Sequence, residues 1–385
     1  MDNYKETLKY SYLNIAFKIV VLIAFILFIV FYFDLNIFNL KFFKTKNNKN
    51  NDYVYKKHDV NRELVNAISK ENYNNKVLSD FFIKTAFNCC NIGYGMANVE
   101  RLKTIISQGF RCLDFKLIHK NNTIHIENQP KNETFYNALE IINTHCFSNS
   151  YCNNNEDPLI INIRFDESVT NSLNESKIVF KKLREMFKTL NSNKLDDSYS
   201  VLQRVKPGNI NKNILTIPLK DLQGNIIVMC NYNYDILEAN SLDEEHNILQ
   251  YIHFNTYIPK SDDTLNSIST ILTTNKTYNN AVISMELNNI IKSDASDING
   301  LINLNKTFPM MIIPNSSNNT DSVQNPSSLE DIFGYTFRSL EFSSIKDFKE
   351  DQIVDEDIKI YINEFTTASS AFILKPIKLR NVEKT

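Results

Sequence analysis

The chain has 385 residues, enough to bury one large core beside an additional segment, and a single α/β barrel of about 250 residues or more fits that length. Its 42 Lys and Arg against 44 Asp and Glu give a net charge of −2, mixed throughout the chain, so there is no basic footprint and nucleic acid is excluded as a partner. Six cysteines at irregular spacing, without a CxxC pair, exclude a zinc site and a disulfide framework and fit a reducing compartment, although Cys146 and Cys152 can still pair.

From the N-terminus, a short tail (1–12) precedes an apolar stretch (13–36) whose core, Ile19 to Phe33, is uninterrupted. With its flanks it reaches the roughly 20 positions a helix needs to cross a bilayer. The following FDLNIFNLKFF has no small-x-small cleavage site, so the stretch reads as a single-pass anchor rather than a cleaved signal. Lys41, Lys44, Lys46 and Lys49 after the span outnumber Lys5 and Lys9 before it, which orients the C-terminal domain to the cytoplasmic side of the membrane. Residues 37–76, lysine-rich and non-periodic over 44–59, form a polar tether, and the folded region is expected from near residue 75 to 380.

Beyond the tether, helix-like and strand-like periods alternate, the pattern of a parallel α/β fold. Asn98 is placed to cap a helix with the stripe Leu102, Ile105 and Ile106 that stops at Gly109. Strands are expected over 111–118, 123–127, 159–166, 225–230, 281–286, 309–313 and 371–374. Helices are expected around the stripe Phe135, Ala138, Leu139 and Ile142 and over 177–190. The Asn- and Ser-rich stretches 191–213 and 315–328 lack an apolar face and read as surface insertions. Asparagine fills about one position in seven, a compositional bias rather than a site signal.

Strand parity places Cys112, Asp114 and Lys116 on one face and Leu113, Phe115 and Leu117 on the other; Asn162, Arg164 and Asp166 likewise share a face. A strand covered by helices is normally apolar on both sides, so inward charges near strand ends mark a barrel's functional mouth. Asp114, Lys116 and Arg164 are therefore candidate site residues; the competing reading is an internal ion pair that closes the mouth.

The segments KTAFNCCN (84–91), RCLDFKLIHKNNTIHIEN (111–128) and PLIINIRFD (158–166) resemble, in order and spacing, the catalytic X region of phosphatidylinositol-specific phospholipase C. The corresponding family pieces read SxHNxY, RxxExD with a following HG, and PxxLxxE, and SAFILKPIKLR (370–380) resembles the segment that closes the family's barrel. The resemblance implies a TIM-type (β/α)8 barrel and cleavage of a phosphodiester in a membrane lipid or phosphoinositide headgroup. It also implies two histidines for proton transfer and a calcium ion held by oxygen ligands. Similar His-depleted barrels occur in large DNA viruses and protists.

Carried across, Phe87 stands at the first histidine and Asn88 keeps the neighbouring asparagine. Asp114 keeps one acid, while Lys116 and Arg164 replace two carboxylates. Two cations in place of two anions oppose calcium, so no metal or other cofactor is expected. The metal-free bacterial branch reads RxxDxR here, close to RCLDFK, and implies that Lys116 and Arg164 hold a substrate phosphate. The second histidine falls on His125, or on Glu127 or Asn128 if the strand start is aligned instead. Asn88, Asp114, Lys116, His125 and Arg164 are thus the candidate catalytic set, in a barrel expected to be degenerate as an enzyme. The rival readings are a headgroup- or partner-binding pseudoenzyme and a structural membrane protein.

Overall fold

The computed structural model describes residues 65–68, 75–93, 96–128, 134–166, 169, 172–190, 193, 195–201, 213–232, 248–260, 263–274, 280–286, 298–314, 333–343 and 355–381. The chain divides into Met1–Lys56 and Lys57–Thr385, and every described residue belongs to the second unit. The expected membrane span at 13–36 and most of the tether lie outside the described residues. Among the described residues no helix is long and apolar enough to cross a membrane.

Eight parallel strands close into a barrel: β1 (Phe81–Phe87), β4 (Cys112–Lys120), β6 (Leu159–Phe165), β7 (Ile226–Cys230), β8 (Phe254–Tyr257), β9 (Ala281–Glu286), β10 (Met310–Ile313) and β11 (Phe337–Glu341). Each stave pairs with the next in chain order, and β11 returns to β1. A small ribbon of β2 (Asn91–Gly93) and β3 (Met96–Ala97) follows β1, and β5 (Thr123–Ile126) folds back antiparallel on β4. The last strand, β12 (Phe372–Leu374), also runs antiparallel, against the first half of β1.

Among the described residues six α-helices alternate with these strands: α1 (Arg101–Ser107), α2 (Phe135–His145), α3 (Leu173–Phe187), α4 (Leu265–Thr274), α5 (Ile298–Thr307) and α6 (Glu356–Thr367). Their starts follow local chemistry. The Asn98 carboxamide accepts the Glu100 N–H at 2.8 Å in the turn before α1. Ser172 accepts the Glu175 N–H at the start of α3, which is why that helix begins four residues earlier than its apolar stripe suggests. The Asp355 carboxylate caps α6.

Parity is obeyed throughout. Ile83, Cys112, Ile160, Ile227, Met229, Phe254, Val282, Met311 and Phe337 fill the lumen. Leu113, Phe115, Leu117, Leu159, Ile161 and Ile163 pack outward under the helices. The folded region starts earlier than expected: Val65 is buried, Asn66 bridges Ser370, and the Ile68 N–H bonds the Asp157 carboxylate at 3.1 Å. The expected strand at 371–374 is correct as a strand but is not a stave. β1 meets β4 only at Thr85↔Cys112 and Ala86↔Leu113, and β12 fills the gap below that short seam.

Candidate active site

At the C-terminal ends of the strands the lumen turns polar. Asp114 on β4 is fully buried. Its Oδ1 accepts from Arg164 Nε at 2.9 Å and Asn162 Nδ2 at 2.7 Å. Its Oδ2 accepts from Arg164 Nη2 at 2.8 Å and the Asn88 backbone N–H at 3.0 Å. An ionised carboxylate offers about four lone-pair sites, and all are used. Thr256 Oγ1 donates to Asn162 Oδ1 at 3.2 Å and extends the network across the lumen.

Arg164, on β6, is held on three sides. Beyond the two-point pair with Asp114, its Nη2 donates to Asn88 Oδ1 at 2.7 Å, and its guanidinium carbon lies 4.4 Å from the Phe87 ring centre. The chain reaches both partners because it reverses directly after β1: Asn88 takes the left-handed conformation (φ 44°), which asparagine tolerates better than most residues. Burial disfavours the Arg164 charge, but the Asp114 carboxylate outweighs it and leaves the guanidinium pKa above its ordinary value. The internal ion pair foreseen as the competing reading is therefore present, between Arg164 and Asp114.

Lys116 shares the parity of Asp114 but not its partners. Its amine pairs with Glu127 at 2.7 Å and Asp166 at 3.3 Å. Partial burial works against the charge, yet the hydrogen bond and charge of Glu127, with Asp166, raise the amine's pKa. Glu341, opposite Phe87 on β11, accepts from the Asn91 side chain. The two cations expected to hold a phosphate are thus both paired with carboxylates of the protein.

Asn88, Asp114, Lys116 and Glu127 line one cleft with Asn91, Met96 and Asn128, of about 30 Å³, room for one or two waters. Of the candidate set, the structure brings together Asn88, Asp114, Lys116 and Arg164. His125 does not line the cleft; Glu127, two residues on, takes the position facing Lys116, and Asn128 follows with a φ of 64°. Both residues that the strand-start alignment offers for the second histidine, Glu127 and Asn128, therefore line the cleft, and His125 does not.

The remaining nucleophile and base candidates are structural. His119 Nδ1 bonds Glu175 at 2.5 Å, and His145 lies against Tyr151 with ring centres 3.9 Å apart. Cys89 and Cys90 are buried, and burial pushes the Cys89 thiol well up, against thiolate formation.

Calcium does not fit this donor set. The Asp114 oxygens are saturated, the Asn88 carbonyl accepts from Arg164, and a guanidinium stands between them. A divalent cation would have to displace a buried cation from its counter-charge.

The sequence of residues 74–228 matches the profile of the phosphatidylinositol-specific phospholipase C X domain. No curated protein matches the chain. Among solved structures, PLC21 of L. pealei and PLC21 of S. officinalis each superpose with a TM-score of 0.55 at 16% identity, over 80% of this chain. The match covers 38% of each of those chains, and at that identity it speaks to the fold alone. The barrel and its strand order agree with that match, so residues 74–228 are similar to the X domain of phosphatidylinositol-specific phospholipase C.

Proposed function

We propose that this protein is a membrane-anchored phospholipase C-like domain that has kept the phosphodiesterase barrel and lost turnover. One observation carries the reading: every acceptor site of the Asp114 carboxylate is filled by Arg164, Asn162 and the Asn88 N–H, so the carboxylate has no lone pair left for a metal or a substrate proton. Phe87 cannot exchange a proton, and acid–base assistance is worth about 10² to 10⁴ in rate per group. The apolar run at 13–36 supports the anchor, and the lysines that follow it support a cytoplasmic domain.

A second reading has specific support. Arg164 uses Nε and Nη2 internally, and its Nη1 has no partner among the described residues; Lys116 has three donors and two carboxylate partners. These N–H groups left over from the internal pairs support a domain that holds a phosphoinositide headgroup without cleaving it.

The test is hydrolysis of radiolabelled phosphatidylinositol vesicles by the full chain, with and without calcium, beside a Lys116→Ala variant. The expected result is no turnover in any arm and no calcium binding by calorimetry. Calcium-independent hydrolysis lost in Lys116→Ala would overturn the non-catalytic reading. Headgroup binding weakened about ten-fold by Lys116→Ala, a loss expected of one charge-assisted bond, would select the second. The joint change Arg164→Glu with Lys116→Asp restores oxygen donors beside Asn88 and Asp114, and is expected to gain calcium binding that the parent lacks.

A further inference from the structure

Phe87 is more than the absence of a histidine. It is the last residue of β1, it is nearly buried at 7% exposure, and the Arg164 guanidinium carbon lies over its ring, 4.4 Å from the centre. The next two residues complete the enclosure. The Asn88 N–H and side chain bond Asp114 and Arg164 respectively, and the Cys89 N–H donates to the Asp114 carbonyl at 3.0 Å. Three consecutive residues thus grip both members of one ion pair, the ring from the face and the turn from the edge.

We infer that Phe87 is a positioning residue whose ring keeps Arg164 in place at the barrel mouth, so that the aromatic and the arginine act as one unit. A guanidinium stacked on an aromatic face gains electrostatic attraction, and the ring excludes water that would compete for Asp114. A histidine at this place would, when protonated, put a second positive charge against the guanidinium, so changing Phe87→His alone restores nothing. The inference concerns how the cation is held and stands apart from whether the barrel hydrolyses lipid: vesicle hydrolysis bears only on turnover, and the measurements below bear only on the clasp.

The experiment is labelling of the full chain with an arginine-selective dicarbonyl, read residue by residue by mass spectrometry, for the parent, Phe87→Leu and Phe87→Tyr. Arg111 and Arg338, both buried, serve as internal references. Phe87→Leu is expected to raise labelling at Arg164 about ten-fold with the references unchanged, and Phe87→Tyr, which keeps the ring, to leave it at the parental rate. Unchanged labelling at Arg164, or a rise shared by all three arginines, overturns the inference.

A urea-unfolding cycle with Arg164→Met supplies a second readout. Phe87→Leu is expected to lower the folding constant about five- to thirty-fold beyond its effect in the Arg164→Met background, the range of a partly desolvated cation–π contact. Strict additivity of the two changes would overturn it as well.

Discussion

Asp114 shows how one side chain sets the character of the mouth. It is fully buried and meets four donors, two of them on one guanidinium. Removing its charge would leave Arg164 buried without compensation, so Asp114→Asn is expected to cost about 3 to 5 kcal/mol, read as a lowered urea midpoint. Two lysines behave differently: Lys84 and Lys375 are buried against carbonyl or hydroxyl oxygens, and burial lowers each to about 7. Lys84 also lies 4.7 Å from the Phe110 ring, a contact that favours the charge, but the loss of hydration is the larger effect. Between pH 7 and the ordinary lysine value the unfolded chain binds more protons than the folded one, so stability is expected to rise with pH across that window. Lys84→Met should flatten the rise in unfolding free energy between pH 7 and 9; an unchanged slope would show that Lys84 stays charged. Parity made Asp114, Lys116 and Arg164 readable as inward groups. Their partners were not readable, because Glu127, Asp166 and Asn88 come from other strands or turns and meet them only across the sheet.

At the scale of elements, the parallel staves β4, β6, β7, β9 and β10 are legible as short apolar runs, and α1 to α3 as stripes with polar starts. The expected strands omit β1, and also β8 and β11, which are short and carry Asn255, Thr256, Arg338 and Ser339 among their apolar residues. The expected helices omit α4, α5 and α6, although Asp355 followed by Ile358, Tyr361, Ile362 and Phe365 is a cap and stripe of the ordinary kind. Gly109 follows the end of α1, as the sequence predicts, and the reason is steric as well as conformational. Its φ is +77°, and a Cβ there would lie 2.7 Å from the Val65 Cβ. Gly109→Ala is therefore expected to cost about 2 to 4 kcal/mol from the left-handed backbone and the overpacking together, measured by thermal unfolding.

Across the whole molecule, the barrel is closed at a two-residue seam between β1 and β4, and β12 with the segment after it covers what the seam leaves open. Phe372 stacks edge-on against Phe81, and Lys375 ties this segment to Ser79 and Thr336. Deleting residues 370–385 is expected to open the barrel and to replace cooperative unfolding by a gradual loss of near-ultraviolet dichroism with dye binding; a sharp transition near the parental midpoint would contradict this role for β12. The sequence by itself determined the periodicities, the inward parity, the order of the X-domain segments and the replacement of histidine and carboxylates by Phe87, Lys116 and Arg164, since each is a property of residue type and spacing along the chain. Only the tertiary structure decided that Arg164 rather than Lys116 pairs with Asp114, that Glu127 rather than His125 faces the cleft, and that the last strand is a wedge rather than a stave. Those outcomes depend on which strands become neighbours and in what register, and on where buried charges find their counter-charges, none of which any local stretch of the chain contains.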